Sequence, residues 1–325
     1  MTSAPTVHRG IYKSNLVRRV ARWLDATPHT PLAVEISPDR IAAARWTRTG
    51  GLDGFAVENL PPGAIVPSAV EANIVNTAAA RTAMTKVCNK LRTKDEEAAL
   101  LLPDPVIRVF VQHFEQFPRS PEEALPILRW KLKKSVPFEV DETLISFMRQ
   151  APRESGVDVV TALARLRIVR EYEGLAEGAG LFPGVVLSSS LAAITLLDDE
   201  RPTLLARVSG PALTTAIVRE GVLCGYRSTE LPAYGQDLTP QMLLDEIFPV
   251  AAYYQDTWGE GIQSVRVAGL GGRLPDFVRP LEEEFHCVTR SLSHTAISEG
   301  RIPEYARPLA DRELEGLIGW MMNRG

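Results

Sequence analysis

Apolar positions fall along this chain in an arrangement that occurs twice. Leu32 to Ile36 is a short apolar run closed by the polar turn Ser37-Pro38-Asp39, and Ile41 to Trp46 and Phe55 to Val57 follow across Thr49-Gly50-Gly51. That spacing predicts a three-strand meander. A helical periodicity then runs from about Val70 to Leu91, and Ala98 to Leu102 is wholly apolar, as suits a strand buried on both faces of a parallel sheet. The same order returns with Thr203 to Val208, the turn Ser209-Gly210-Pro211, Ala212 to Val218, a hairpin at Glu220-Gly221 and Val222 to Arg227. A second long helix is predicted from Pro240 to Trp258, and a strand from Ser264 to Ala268 that enters Gly269-Leu270-Gly271-Gly272.

The stretch from Pro103 to Arg170 falls outside the repeat. Val106 to Gln112, Thr143 to Arg149 and Asp158 to Leu166 read as strands, and Ser120-Pro121-Glu122-Glu123 gives an N-cap, a proline at the first helical position and first-turn acids. The helix is expected to run to about Ser135, with Lys131, Lys133 and Lys134 at its negative end. A further helix is expected from Arg167 or Ile168 to Ala179. Two copies of a meander plus helices predict an α/β protein of actin-like architecture, a ribonuclease H-like duplication with two facing domains and a small inserted α+β module. The expected divisions are 1–30 (basic segment and linker), 31–102 and 171–200 (first domain), 103–170 (module) and 201–325 (second domain). The final helix is a candidate to return to the first domain.

Composition narrows the function. A chain of 325 residues allows about two domains, and 45% hydrophobic with 23% charged residues is an ordinary globular mixture. With 36 Lys+Arg against 40 Asp+Glu the net charge is -4, which gives no footing for nucleic acid. Three cysteines, Cys88, Cys224 and Cys287, and five histidines form no metal-ligand spacing and no disulfide framework, so no metal site and a reducing cytoplasm are expected. Gly184 to Leu197 is too short and polar to span a bilayer. Residues 9–24 carry Arg9, Lys13, Arg18, Arg19 and Arg22 around Ile11, Leu16, Val17, Val20, Trp23 and Leu24. This basic amphipathic segment is suited to an anionic membrane surface or to packing on its own domain, and both readings stay open.

The module carries a resemblance. Ser120-Pro-Glu-Glu-Ala-Leu-Pro-Ile-Leu-Arg-Trp130, then Val136-Pro-Phe-Glu139, then Ala179-Gly-Leu-Phe-Pro183, resemble the signature of the PilM family of actin-like proteins in type IV pilus assembly. The similarity extends over about residues 31 to 323 and includes Glu246-Ile247, Tyr253-Tyr254 and the glycine turn at Gly269. It implies a cytoplasmic scaffold peripheral to the inner membrane, which binds the short N-terminal peptide of an inner-membrane partner between the first domain and the module. Trp130, Val136, Pro137 and Phe138 are the candidates to line that groove, against the plainer reading of core packing.

The fold also implies an ATP/Mg²⁺ cleft, with the turns Ser37 to Arg40 and Ser209 to Ala212 facing each other across the phosphates. Candidate nucleotide residues are Glu35, Ser37, Arg207, Ser209, Gly210, Glu246, Gly269, Gly271 and Gly272. Yet Glu35 stands where the first aspartate is expected, Pro38 lacks an N–H donor, and Arg207 stands where the second acid belongs, repelling a divalent cation. Arg207 either contacts phosphate directly or is an ion-pair partner in a cleft that has lost nucleotide. Glu246 either reaches a ribose or is solvated. Ser188-Ser189-Ser190 reads as a helix cap rather than a nucleophile, and no catalytic residue is assigned. The alternatives are a slow ATPase or phosphotransferase with Glu35 as its acid, a related secretion scaffold, or a membrane-anchored filament-forming actin homologue.

Overall fold

The computed structural model describes residues 30–47, 49–93, 96–153, 155–197 and 200–322. The basic segment at 9–24 lies outside the described residues. The meander forms as its pattern predicts: β1 (Leu32–Ile36), β2 (Arg40–Trp46) and β3 (Leu52–Asn59) pair antiparallel. All five residues of β1 are buried, because β4 (Glu96–Leu102) lies parallel on its other side and both faces are covered. β8 (Leu181–Ser188) adds to β4, giving the sheet order β3-β2-β1-β4-β8. The second half repeats it with β9 (Thr203–Ser209), β10 (Ala212–Arg219), β11 (Val222–Glu230), β12 (Ser264–Ala268) and β13 (Val288–Ser291) in the order β11-β10-β9-β12-β13.

The first helix, α1 (Thr77–Leu91), begins seven positions later than the periodicity predicts. The buried Asn73 explains the delay: its Nδ2 donates to Ser68 O and Glu71 O, and its Oδ1 accepts from Ser68 N and Tyr172 OH. These local bonds give the backbone an alternative to the helix ladder. Asn76 then caps α1 by accepting from Ala79 N.

The inserted lobe is a three-stranded sheet in the order β5-β7-β6, from β5 (Arg108–Phe114), β6 (Thr143–Arg153) and β7 (Gly156–Arg165). The helix α2 (Pro121–Leu132) covers one face through Ala124, Leu128 and Leu132, against Val157, Val159 and Leu163. It stops at Leu132, short of Ser135, and Ser120 at its N-cap bonds the Glu122 carboxylate rather than a backbone N–H. The other face of the lobe, with Val109, Val160 and Ala162, joins the core of the first domain. The helix α3 (Leu166–Glu177) runs across position 170 and buries Ile168, Val169, Tyr172, Leu175 and Ala176 in that same core.

A short helix α4 (Ser189–Ala193) follows β8, and Ser188 caps it by accepting from Leu191 N. In the second domain α5 (Pro240–Trp258) has the predicted bounds, capped by Thr239 and ended by Gly259 at φ 73°. Helix α6 (Leu274–Phe285) follows the glycine turn, and α7 (Leu292–Ser298) follows β13. After α8 (Arg307–Ala310), the helix α9 (Glu315–Met322) returns to the first domain, where Gly316 and Gly319 let it lie against α4. A Cβ at Gly319 would stand 2.0 Å from Ala192 O. Cys224 and Cys287 are half-buried at the margin of the second core, short of the full burial their apolar surroundings suggest.

Candidate functional site

The two turns expected to face one another do so, at contact distance. A Cβ on Gly210 would stand 3.2 Å from Pro38 Cγ, so the hairpin of one domain abuts the hairpin of the other. Ser37 turns inward on its own loop, donating to Asp39 Oδ1 at 2.7 Å, and Ser209 ends β9 half-buried. Behind the hairpins lies a buried ionic cluster that joins the domains. Arg207 of β9 donates from Nη2 to Glu35 Oε1 at 2.7 Å and from Nη1 to Ser190 Oγ at 3.2 Å. Its guanidinium also lies 3.6 Å from Asp104 and 4.0 Å from Glu315.

Each acid is held by further donors. Glu35 accepts from Ser189 Oγ and from Leu317 N. Asp104 accepts from Ser188 Oγ, Ser190 N and Ser190 Oγ of the first domain and from Thr214 Oγ1 of the second. Tyr226 OH lies 3.0 Å from Ser188 Oγ, a further link across the cleft. Burial works against the charge on Arg207, but the carboxylates of Glu35, Asp104 and Glu315 outweigh it and hold the guanidinium protonated. Glu315 is pushed up from its ordinary value, by burial first and by the neighbouring acids Glu313 and Glu35, with Arg207 opposing. Burial and the charge of Asp104 raise Tyr226 in the same way.

The remaining candidates fall at separate places. Gly269 has φ +81°, and a Cβ there would meet Val208 O at 1.8 Å, so the turn is built for close strand packing. Gly271 N donates to the carboxylate of Glu313, a residue of the segment that returns to the first domain, and Gly272 has nothing within 4 Å of its Cβ position. Glu246 forms an ion pair with Arg227 at 3.6 Å. Gln150 of the inserted lobe forms another bridge: its Nε2 donates to Leu223 O and its Oε1 accepts from Leu223 N, both at 2.8 Å. Apolar packing is continuous too, since Leu205, Ala216, Val218 and Leu223 of the second domain belong to the core of the first.

A second feature lies between the first domain and the lobe. β8 and β6 each end their sheets, and between their unpaired edges is a hollow of about 320 Å³. Ile107, Leu144, Val169, Val185, Leu187 and Leu191 are among its lining residues, with Glu173 as its carboxylate. Trp130, Val136, Pro137 and Phe138 do not line it. Trp130 is 75% exposed on the outer face of α2 and Pro137 is exposed. Val136 and Phe138 pack partly on the lobe's own core, with Arg165 over the Phe138 ring.

Fold and cleft together define a two-domain actin-like protein with an inserted lobe, whose domains meet through a buried ionic cluster. No family model and no curated protein matches the chain. Among solved structures it is similar to a PilM-PilN type IV pilus biogenesis complex, with a TM-score of 0.72 and 16% identity over 91% of this chain and 98% of that one. It also aligns with the cytoplasmic domain of EpsL, an inner-membrane component of the type II secretion system of Vibrio cholerae (TM-score 0.46, 12% identity, 73% and 81% covered). A Bacteroides thetaiotaomicron protein of actin-like ATPase fold aligns at 0.48, with 9% identity over 84% and 97%. Among the described residues no helix is long and apolar enough to cross a membrane, and no group of three or more His, Cys, Asp or Glu is placed to hold a metal.

Neither Asp104 nor Glu315 was expected in the site. Asp104 follows the apolar run Ala98 to Leu102 after a single proline, and an acid just beyond the end of a buried strand was the available signal. Glu315 lies more than 100 residues from Arg207, Asp104 and Glu35, the charges it faces, and nothing local marks it.

Proposed function

We propose that this chain is an actin-like scaffold of a type IV pilus assembly machine, working at the cytoplasmic face of the inner membrane. It binds an extended N-terminal peptide of a PilN-like inner-membrane partner. The observation that carries this reading is the hollow between two sheet edges. A strand entering it gains main-chain hydrogen bonds from β8 or β6, and its alternate side chains enter an apolar lining. Gly184 bulges β8 at this point and Pro183 withholds an N–H, which leaves a short stretch of edge for a partner and limits pairing with unrelated strands.

In the same reading the nucleotide site is degenerate. A magnesium nucleotide brings cation and phosphates together, and here Arg207 already supplies the cation to Glu35 and Asp104 while Pro38 and Gly210 fill the space between the hairpins. The residues present do not fit Mg²⁺, and no catalytic step is derived through it.

The test is titration of the chain with a synthetic peptide of the cognate PilN-like protein's cytoplasmic N-terminus. Binding is expected, with a loss of about tenfold or more for Leu144→Glu on the wall of the hollow and for Phe182→Glu beside it on the β8 edge strand, residues 49% and 54% exposed and therefore tolerant of the change in the free fold. Equal affinity for both variants and the parent would remove the groove from the proposal.

A further inference from the structure

The first described residue of the chain stands against the wall of the hollow between β8 and β6. Thr30 is buried, its Oγ1 donates to Leu32 O, and its carbonyl accepts from Trp320 Nε1. Its Cγ2 lies 3.8 Å from the place a Cβ on Gly184 would take, and Gly184 is itself part of the lining. Residues 1–29 lie outside the described residues, but the point at which they join the fold is therefore fixed: it is beside β8, the strand that ends its sheet.

We propose that residues 17–24 of this chain turn back from that point, occupy the hollow, and must be displaced before the partner's peptide can enter. The displacement rests on the peptide reading above, whereas the occupancy does not. Reach favours it. Trp23 is seven residues before Thr30, a span of up to about 22 Å, and the stretch of β8 along the hollow, Pro183 to Ser188, is about 17 Å long. Chemistry agrees. The segment offers Val17, Val20, Trp23 and Leu24 to an apolar lining, and it carries Arg18, Arg19 and Arg22 with no acid before Asp25. Among the described residues of the lining Glu173 is the one ionisable side chain, and it has no hydrogen bond or ion pair there. The exposed Arg170 and Glu177 flank it on α3 and offset each other, and Glu142 is already taken by Arg165 at 3.1 Å, so an excess of negative charge remains at the hollow. Tethering makes a weak contact sufficient. A short linker gives an effective concentration on the order of 1 mM, so a segment with an intrinsic dissociation constant of about 0.1 mM fills the site and weakens a competitor about tenfold.

Photo-cross-linking of the full chain, with p-benzoylphenylalanine in place of Trp23, tests the occupancy. Cross-links within one chain are expected on the lining, at or beside Leu144, Val169 or Leu191, and Leu144→Glu is expected to reduce their yield severalfold. In calorimetry with the synthetic peptide of the PilN-like N-terminus, Trp23→Glu is expected to bind about tenfold more tightly than the parent. A cross-link to the lining upholds the occupancy even where that peptide binds neither chain, a result that removes the partner reading alone. Cross-links confined to the second domain, or formed only between two chains, overturn the proposal. So do equal peptide affinities for Trp23→Glu and the parent, and so does Trp23-dependent pelleting with phosphatidylglycerol vesicles in place of a cross-link to the hollow.

Discussion

Arg207 of the second domain and Glu35 of the first share a 2.7 Å hydrogen-bonded ion pair in which neither side chain is more than 5% exposed. In a cleft expected to open for a ligand, the pair instead joins the two walls. Replacing only the cation leaves three acids in a buried site. Arg207→Met is therefore expected to lower unfolding stability by about 3–5 kcal/mol, and Arg207→Met with Glu35→Gln to recover part of that. Denaturant midpoints check both, and an unchanged midpoint in the single variant would show the pair is energetically idle.

Nucleotide should be excluded by the same contact. Calorimetric titration with ATP and Mg²⁺ is expected to give no saturable heat with the parent chain. Magnesium-dependent binding at micromolar concentration would contradict the degenerate reading and return Arg207 to the role of a phosphate ligand.

Glu315 gives a pH dependence of definite sign. Its folded-state pKa is raised above the ordinary 4.5, so folding favours the protonated acid. The stability it contributes is complete below 4.5 and is lost as pH rises through the folded value. Glu315→Gln removes that loss, so the variant should gain on the parent as pH climbs from 4.5. Parallel stability curves for the two chains would contradict this.

Two glycines of one turn should respond oppositely. Gly269→Ala forces an L side chain into φ +81° and against Val208 O, with an expected cost of about 2–4 kcal/mol. Gly272→Ala meets nothing within 4 Å and should leave the melting temperature near that of the parent.

Gln150→Ala removes both hydrogen bonds to Leu223 and strands a buried N–H and C=O, at about 2–3 kcal/mol. Hydrogen exchange should quicken in β11 before it does in β1, because Gln150 bonds the backbone of Leu223 in β11.

Much of this architecture is written in local pattern. The runs Leu32 to Ile36 and Ser264 to Ala268, and the capped helix Pro240 to Trp258, form with the bounds their periodicity and turn residues dictate. Errors arise where a single polar side chain redirects the backbone, as Asn73 does before α1, or where an apolar side chain has no wall to pack on. Trp130 is such a case: its sequence neighbourhood suggests a groove or a core, and the fold turns it outward. The charge cluster was half legible. Glu35 and Arg207 stand at marked turns, whereas Asp104 and Glu315 gain their meaning from partners that the chain brings together over 80 to 280 residues.

The return of α9 makes the order of synthesis matter. The first domain opens its sheet with β1 at Leu32, but the segment that seals its inner wall follows the whole second domain in the chain. A ribosome must therefore release the second half before the first is finished. A fragment ending at residue 197 would leave the strip of α4 facing Gly316 and Gly319 open to water and to chaperones, so the pair of domains matures as one unit.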